Sequence, residues 1–173
     1  MRFCGTCYRA HDPRWAFSPL SGAGAALHGG RFNPKGVPAL YLALTVEGMI
    51  LEMSHGLAVR FEPLTICTYD VDAADVIDLR DERGRRSHGI ELGALACPWV
   101  DDVSSGRAPA SWRLAEQMIA RGAAGVVVPS FAIGARADMS NLVLWSWGPD
   151  LPHRVVVHDP SGRLPRDQLS WNL

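Results

Sequence analysis

The 173-residue sequence lacks the features of a membrane or secreted protein. No apolar run approaches the ~20 residues that a membrane-spanning helix needs. The first fourteen residues, MRFCGTCYRAHDPR, contain no apolar stretch of the kind that signal peptides carry. We therefore expect a cytoplasmic protein that does not contact a membrane, with its cysteines in the reduced state.

The sequence also has little net charge. Its 17 Lys and Arg residues and 18 Asp and Glu residues give a formal net charge of −1. A nucleic-acid-binding domain normally presents a basic face, so direct binding to nucleic acid is not expected. The one dense basic group is interpreted as a solvent-exposed loop, with a phosphate-binding patch as the alternative. This group consists of Arg80, Arg83, Arg85 and Arg86.

Cysteine is scarce, and its spacing argues against a metal or redox site. Cys4 and Cys7 form a C-x-x-C pair, which could be a redox dithiol or half of a zinc site. A structural zinc site needs a second pair, and Cys67 and Cys97 stand far apart in the sequence. We therefore expect no metal, and small side chains in a first β-strand over residues 3–8.

What the sequence does contain is typical of one folded domain. Apolar residues make up 47% and charged residues 20%, a composition that excludes disorder. No repeat or linker divides the chain, so residues 1–173 are expected to form a single domain. β-Branched runs between Gly and Pro residues predict short strands. These strands cover residues 3–8, 39–44, 64–71, 76–79, 125–128, 142–147 and 155–158.

Two helices are predicted from apolar spacing. Thr45 can cap the first, and its Glu52 lies at the flank of the apolar stripe, with His55 on the opposite side. The stripe that we expect to be buried consists of Val46, Met49, Ile50, Met53 and Leu57. The second helix covers residues 111–121 and ends at Gly122. The fold class predicted is α+β, rich in β-strands with few helices.

Two segments have no predicted regular structure. Residues 18–38 are rich in Gly, Pro and Ser, and loops of this length in compact domains are often binding loops. Residues 81–110 are interpreted as an irregular excursion without recognisable chemistry.

Three groups of polar residues attract attention as candidate sites. In the glycine-rich loop, Gly29 and Gly30 let the backbone approach a phosphate, and Arg31 adds a bidentate cation. Tyr41 lies between two alanines on its strand face, which suits either a flat ligand ring or packing against a helix. Ser130 ends an apolar strand, where a role in a site and a role as a turn cap are both open.

Taken in order, these motifs resemble the RES domain family. The matching strings are GGRFNPKG, LYLA, an apolar helix containing LE, VVPS and SNLVLW, preceded by YR at residues 8–9 and PLSGAGA. The family is named after an Arg, a Glu and a Ser, which match Arg31, Glu52 and Ser130. This sequence departs from the family pattern at Phe32, where Trp is common, and at His55, since the usual histidine is four residues after the Glu.

The resemblance implies an ADP-ribosyltransferase-like fold and a toxin of a type II toxin–antitoxin pair that consumes NAD+. It also implies an antitoxin with an Xre-type DNA-binding domain that blocks the NAD+ cleft. Arg31 would hold a phosphate or ribose hydroxyl, Tyr41 would stack on nicotinamide, and Glu52 would stabilise the ribosyl cation. The expected catalytic residues are Arg31, Tyr41, Glu52 and Ser130, and the expected NAD+-binding residues are Gly30, Arg31, Asn33, Tyr41 and Asn141.

The fate of the ADP-ribose stays open at this point. Family activities include ADP-ribosylation of a host protein, such as phosphoribosyl pyrophosphate synthetase, and hydrolysis or phosphorolysis of NAD+. The excursion at residues 81–110 supplies extra surface, which favours a protein acceptor. A non-catalytic module in which Arg31 binds a phosphorylated ligand is the alternative from another class.

Overall fold

The computed structural model describes residues 1–54 and 62–169. Seven strands in these residues form one sheet in the order β4-β5-β6-β2-β1-β3-β7. β4 and β5 run parallel, and every other neighbouring pair is antiparallel. The strands are β1 (Phe3–His11), β2 (Leu40–Ala43), β3 (Thr65–Ala73), β4 (Val76–Asp78), β5 (Gly125–Pro129), β6 (Ser140–Leu144) and β7 (His153–Val157).

The helices are short and lie between the strands. They are α1 (Ala23–His28), α2 (Val46–Ser54), α3 (Glu82–Ser87), α4 (Leu92–Leu95), α5 (Trp99–Ser104) and α6 (Ala110–Ala120), with a 3₁₀ turn at Pro13–Trp15. Each predicted strand is present with small shifts in its bounds, and Gly122 follows α6 with a φ of 86°, as a helix-ending glycine does. The predicted α+β class is confirmed.

The sheet buries a cluster of apolar side chains on each face. On one face, Leu40, Leu42 and Tyr69 pack together. On the other, Val126 and Val128 pack against the inner side of α6. Alternation along the strands produces this division, because successive side chains point to opposite faces.

The helix that carries Glu52 packs differently from its sequence pattern. Val46, Ile50 and Met53 were expected to be buried but are exposed, with relative accessibilities of 39%, 42% and 38%. The prediction of a continuous buried stripe is therefore wrong, although Met49 is buried as expected. Leu57 and His55 lie outside the described residues.

The inward face of α2 carries small residues. Gly48 and Ser54 are buried with Met49, and a Cβ added to Gly48 would lie 3.0 Å from Oγ1 of Thr45 and at an ordinary contact distance of 4.0 Å from Ala43. The face that turns inward is therefore not the one with the most apolar residues. The predicted cap is present, because the Gly48 amide donates to the Thr45 Oγ1 at 3.1 Å.

Both segments expected to lack regular structure contain helix. Residues 18–38 include α1, whose Ala-rich sequence favours helix, and residues 81–110 include α3, α4 and α5. Most of the basic group lies in α3, where Arg86 pairs with Glu82 on the exposed surface, and Arg80, before the helix, pairs with Asp78 at 2.6 Å. These ion pairs agree with the interpretation of the group as a solvated surface.

Cys4 and Cys7 both lie in β1, as expected, with Cys4 exposed and Cys7 buried.

Candidate active site

A cleft of about 640 Å³ opens on the sheet face that carries Tyr41 and Asn141. Its walls come from the loop after α1, from β2, β5 and β6, and from α2 and α5. A second chamber of about 290 Å³ adjoins it beneath α2. The two chambers share Arg9, Tyr41, Glu52 and Asn141 in their walls, so these residues lie between them.

The Glu52 carboxylate is held in this cleft by two donors from β5 and β6. The Ser130 hydroxyl and the Asn141 amide each lie 2.6 Å from Oε1 of Glu52. Charge-assisted bonds of this length fix a carboxylate firmly. The structure therefore joins three of the predicted site residues.

Ser130 caps a turn and also contacts Glu52. Besides donating to Glu52, its hydroxyl oxygen accepts from the Ala132 amide at 3.2 Å, which is the turn cap. The cap orients the hydroxyl hydrogen toward Glu52, because the Ser oxygen is occupied on its other side.

The two polar side-chain atoms of Asn141 have different surroundings. Its Nδ2 donates to Glu52, which fixes the orientation of the amide, since the reverse would oppose two acceptor oxygens. Within the described residues, Oδ1 of Asn141 is buried and lacks a hydrogen-bond partner. A buried acceptor of this kind favours a ligand that brings an N–H or O–H group.

Tyr41 lies in the wall of both chambers and is fixed at its hydroxyl. That hydroxyl donates to Oδ1 of Asn33 at 2.7 Å and accepts from the Phe32 amide at 2.9 Å. Burial raises the pKa of Tyr41, so the group stays a neutral phenol at physiological pH. The ring packs against the core of that face and also borders the cleft, so stacking on a ligand ring stays a prediction.

Asn33 supports Tyr41 from behind the cleft. Its side chain is fully buried, and Nδ2 donates to the carbonyl groups of Ala25 at 2.8 Å and Val37 at 2.9 Å. The residue thus ties the ends of its loop together and presents Oδ1 to Tyr41. It is absent from the cleft lining, so the predicted contact with NAD+ would have to run through Tyr41.

Arg31 lines the cleft and is anchored by the excursion at residues 81–110. Its Nη1 donates to the carbonyl groups of Leu95 at 3.2 Å and Cys97 at 2.7 Å. Its guanidinium carbon lies 4.8 Å from the centre of the Phe131 ring, within cation–π range. Burial lowers the pKa of Arg31, which nevertheless stays charged at neutral pH. The excursion therefore anchors a residue of the cleft wall, which the sequence did not reveal.

The glycine-rich loop is held by indole groups. Trp112 donates its Nε1–H to the Gly30 carbonyl at 2.7 Å, and Trp145 donates to the Phe32 carbonyl at 2.9 Å. Gly30 itself lies against Tyr41, since an added Cβ would meet the Tyr41 hydroxyl at 2.6 Å. Glycine is therefore required at this position by the neighbouring Tyr41, and the approach of a phosphate to the loop stays a prediction.

Sequence reasoning missed Arg9 as a site residue. It lines both chambers, and its Nη1 donates to the carbonyl of Ser21 at 3.2 Å. The YR pair at residues 8–9 belonged to the family pattern and was the signal that could have identified it. Trp99 and Phe131, which also line the cleft, had no such signal.

In residues 1–54 and 62–169, no three His, Cys, Asp or Glu side chains are grouped so that they could hold a metal ion. No helix in the described part of the chain has the length and apolar character needed to cross a membrane.

Comparisons with known proteins agree with the fold. No curated protein matches the sequence. Among solved structures, the M. tuberculosis MbcT-MbcA toxin-antitoxin complex contains a chain that is similar, with a TM-score of 0.60 and 23% identity. The match covers 92% of this chain and 84% of that one. The match shows that the two chains share a fold.

The sequence itself matches a family model. The RES domain model covers residues 6–167, which include β1 at one end and the segment after β7 at the other. The chain is therefore a member of the RES domain family.

Proposed function

We propose that this protein is the toxin of a toxin–antitoxin pair and that it cleaves the nicotinamide–ribose bond of NAD+ in the cleft described above. The observation that carries the proposal is the Glu52 carboxylate, held by Ser130 and Asn141 at 2.6 Å in a cleft that also contains Arg31. The volume of the cleft lies within the range of ordinary ligand sites.

The reaction requires negative charge near the forming cation. When the C–N bond breaks, its electron pair leaves with nicotinamide as a neutral ring, and positive charge develops on the ribose. Glu52 stabilises that charge because its carboxylate is already fixed and does not have to reorganise. A nucleophile then bonds to the ribose carbon and loses its proton.

The residues around the Glu52 carboxylate would bind the NAD+. Arg31 and Arg9 bring two guanidinium groups to the cleft walls, which suits the two phosphates of a dinucleotide. The Tyr41 ring supplies a surface for stacking. The buried Oδ1 of Asn141 accepts a hydrogen bond from the carboxamide or from a ribose hydroxyl, which satisfies its missing partner.

We assign the ADP-ribose to a protein acceptor. Val100 and Ile133 line the cleft and are 58% and 71% accessible, so apolar side chains surround its entrance. Exposed apolar rims of this kind are typical of surfaces that dock a protein. The same rim would serve an antitoxin that covers the cleft, by analogy with the M. tuberculosis toxin-antitoxin complex.

The function is tested by incubating the purified protein with NAD+ and measuring free nicotinamide. Release by the wild type and its loss in Arg31→Ala and Glu52→Gln are expected. Folded wild-type protein that releases no nicotinamide but binds a phosphorylated ligand would instead support the non-catalytic module.

The acceptor is identified in a second experiment. Host lysate and purified phosphoribosyl pyrophosphate synthetase are treated with the protein and NAD+, and peptides are searched for ADP-ribose by mass spectrometry. An adduct that depends on Glu52 supports transfer to protein. Free ADP-ribose, or ADP-ribose 1″-phosphate when phosphate is present, would assign the activity to hydrolysis or phosphorolysis.

A further inference from the structure

A network of buried polar side chains lies on the sheet face opposite Tyr41, outside the site described above. Tyr69 on β3 is fully buried, and its hydroxyl lies 2.6 Å from Nε2 of His11 and 3.0 Å from the carbonyl of Pro19. Buried hydroxyl groups deep in an apolar core are costly unless they are fully bonded. The hydrogen bonds of the Tyr69 hydroxyl therefore offset the cost of burying it, and they tie Tyr69 to residues outside its strand.

The hydrogens in this network have one consistent arrangement. Tyr69 has a single hydroxyl hydrogen, which it donates to the Pro19 carbonyl. Nε2 of His11 must therefore carry a hydrogen and donate to the Tyr69 oxygen. Burial and the nearby Arg9 lower the pKa of His11 to about 4, which keeps the ring neutral and the arrangement intact at physiological pH.

The segment that Tyr69 holds is also the segment that holds Arg9. Nη1 of Arg9 lies 3.2 Å from the Ser21 carbonyl and 3.5 Å from the Pro19 carbonyl. The carbonyl between them, that of Leu20, accepts from Nε1 of Trp147 at 2.9 Å. Three successive carbonyl groups are thus fixed by side chains of the sheet region, and two of them orient Arg9.

We propose that Tyr69, oriented by His11, is a positioning residue for NAD+ binding, because it fixes the 19–21 segment whose carbonyl groups orient Arg9 in the cleft wall. The inference rests on the proposed function. Tyr69 would thus affect NAD+ binding from the opposite face of the sheet, without contacting the substrate. Arg9 would use its Nε and Nη2 for the ligand, since neither has a hydrogen-bond partner within the described residues.

The test is Tyr69→Phe, which removes one oxygen and keeps the ring. KM for NAD+ is expected to rise about three- to tenfold, the value of one hydrogen bond, while kcat stays within about twofold. NAD+ affinity, measured by calorimetry in a Glu52→Gln background, should fall by the same factor. In an Arg9→Ala background, Tyr69→Phe should have no further effect on affinity, because the two residues act as a unit.

The matched control is Cys7→Ala. Cys7 is buried in the same core and lies opposite Tyr69 in the pairing of β1 with β3. Within the described residues, its side chain makes no hydrogen bond to the 19–21 segment. Both substitutions should lower the thermal midpoint, and only Tyr69→Phe should change KM. An unchanged KM in Tyr69→Phe, or the same rise in Cys7→Ala, would overturn the proposal.

Two further measurements keep the proposal testable. If Tyr69→Phe does not fold, two substitutions of His11 replace it as the test. His11→Gln keeps an N–H donor and should retain affinity for NAD+, whereas His11→Leu should lose it; equal affinities overturn the proposal.

If the wild type neither binds nor cleaves NAD+, the proposed function fails. In that case, amide hydrogen exchange at residues 18–22 tests whether Tyr69 fixes this segment. The exchange rate should be higher in Tyr69→Phe than in the wild type, and an unchanged rate contradicts the positioning role.

Discussion

The amide of Asn141 donates to Oε1 of Glu52 across 2.6 Å, although the two residues are 89 positions apart in the sequence. Asn141 sits in β6 and Glu52 in α2, which are separate elements of the fold. This bond, together with that from Ser130, explains how a helix that exposes much of its apolar surface still places its carboxylate in the cleft.

Replacing Glu52 by Gln should remove at least about 99% of nicotinamide release, because losing preorganised charge near a developing cation costs roughly a hundredfold or more. The Gln carbonyl oxygen can still accept from Ser130 and Asn141, so the fold should be retained. The measurement is nicotinamide release alongside circular dichroism. Glu47→Gln, in the exposed first turn of the same helix, is the matched control and should be fully active. An active and folded Glu52→Gln protein would refute the assignment of the carboxylate.

Ser130→Ala should lower kcat about tenfold, because the carboxylate keeps only the Asn141 donor and gains freedom to rotate. Steady-state kinetics with NAD+ measure the change. Ser87→Ala removes a comparable hydroxyl from the exposed surface of α3 and should change nothing. Equal kcat values for Ser130→Ala and the wild type would show that one donor is sufficient.

Gly30→Ala should displace Tyr41, because the new methyl group would lie 2.6 Å from its hydroxyl oxygen. Overpacking of this kind costs about 1–3 kcal/mol of unfolding free energy. A shift of the ring by about 1 Å should lower turnover roughly a hundredfold. Gly93→Ala, where an added Cβ meets nothing within 4 Å, is the control for both urea unfolding and kinetics. Wild-type turnover in Gly30→Ala would contradict the role of Tyr41.

Acid should destabilise the protein partly through His11. Its pKa is lowered from 6.5 to about 4, so the unfolded chain binds this proton more tightly than the folded protein. Stability from this group is complete above pH 6.5 and declines as the pH falls toward 4. Between pH 7 and pH 5 the loss should be about 2 kcal/mol. Arg9 and Tyr69, which face His11, do not change charge in this range.

Urea unfolding at the two pH values measures this loss in the wild type and in His11→Gln. The substituted protein should lose about 2 kcal/mol less than the wild type, because Gln does not titrate. The same pH dependence in both proteins would show that His11 takes up its proton without cost.

The strands and the helices α2 and α6 could be predicted, because they depend on local patterns, whereas the short helices within residues 18–38 and 81–110 were missed. Runs such as 125–128 and the spacing of 111–121 specify their elements through neighbouring residues alone. The burial of α2 could not be predicted in this way. Its apolar residues have helical spacing, but the face that packs on the sheet carries Gly48, Met49 and Ser54, which that spacing does not single out.

The candidate site, too, could be predicted only in part. Family motifs in the sequence singled out Arg31, Glu52 and Ser130, because each belongs to a short recognisable string. They did not reveal that the carbonyl groups of Leu95 and Cys97 hold Arg31, since a carbonyl group is present at every residue and carries no sequence signal. Nor did they point to Tyr69, whose neighbours in the sequence are ordinary strand residues.

Local propensity and motif order were thus enough to predict the strands, the helices α2 and α6, the family and most of the candidate site residues. Only the folded chain determined which donors meet Glu52, which carbonyl groups orient Arg9 and Arg31, and which acceptor at Asn141 is left for a ligand. The physical reason is that a hydrogen bond depends on distances of about 3 Å between atoms, and those distances are set by packing between elements far apart in the sequence.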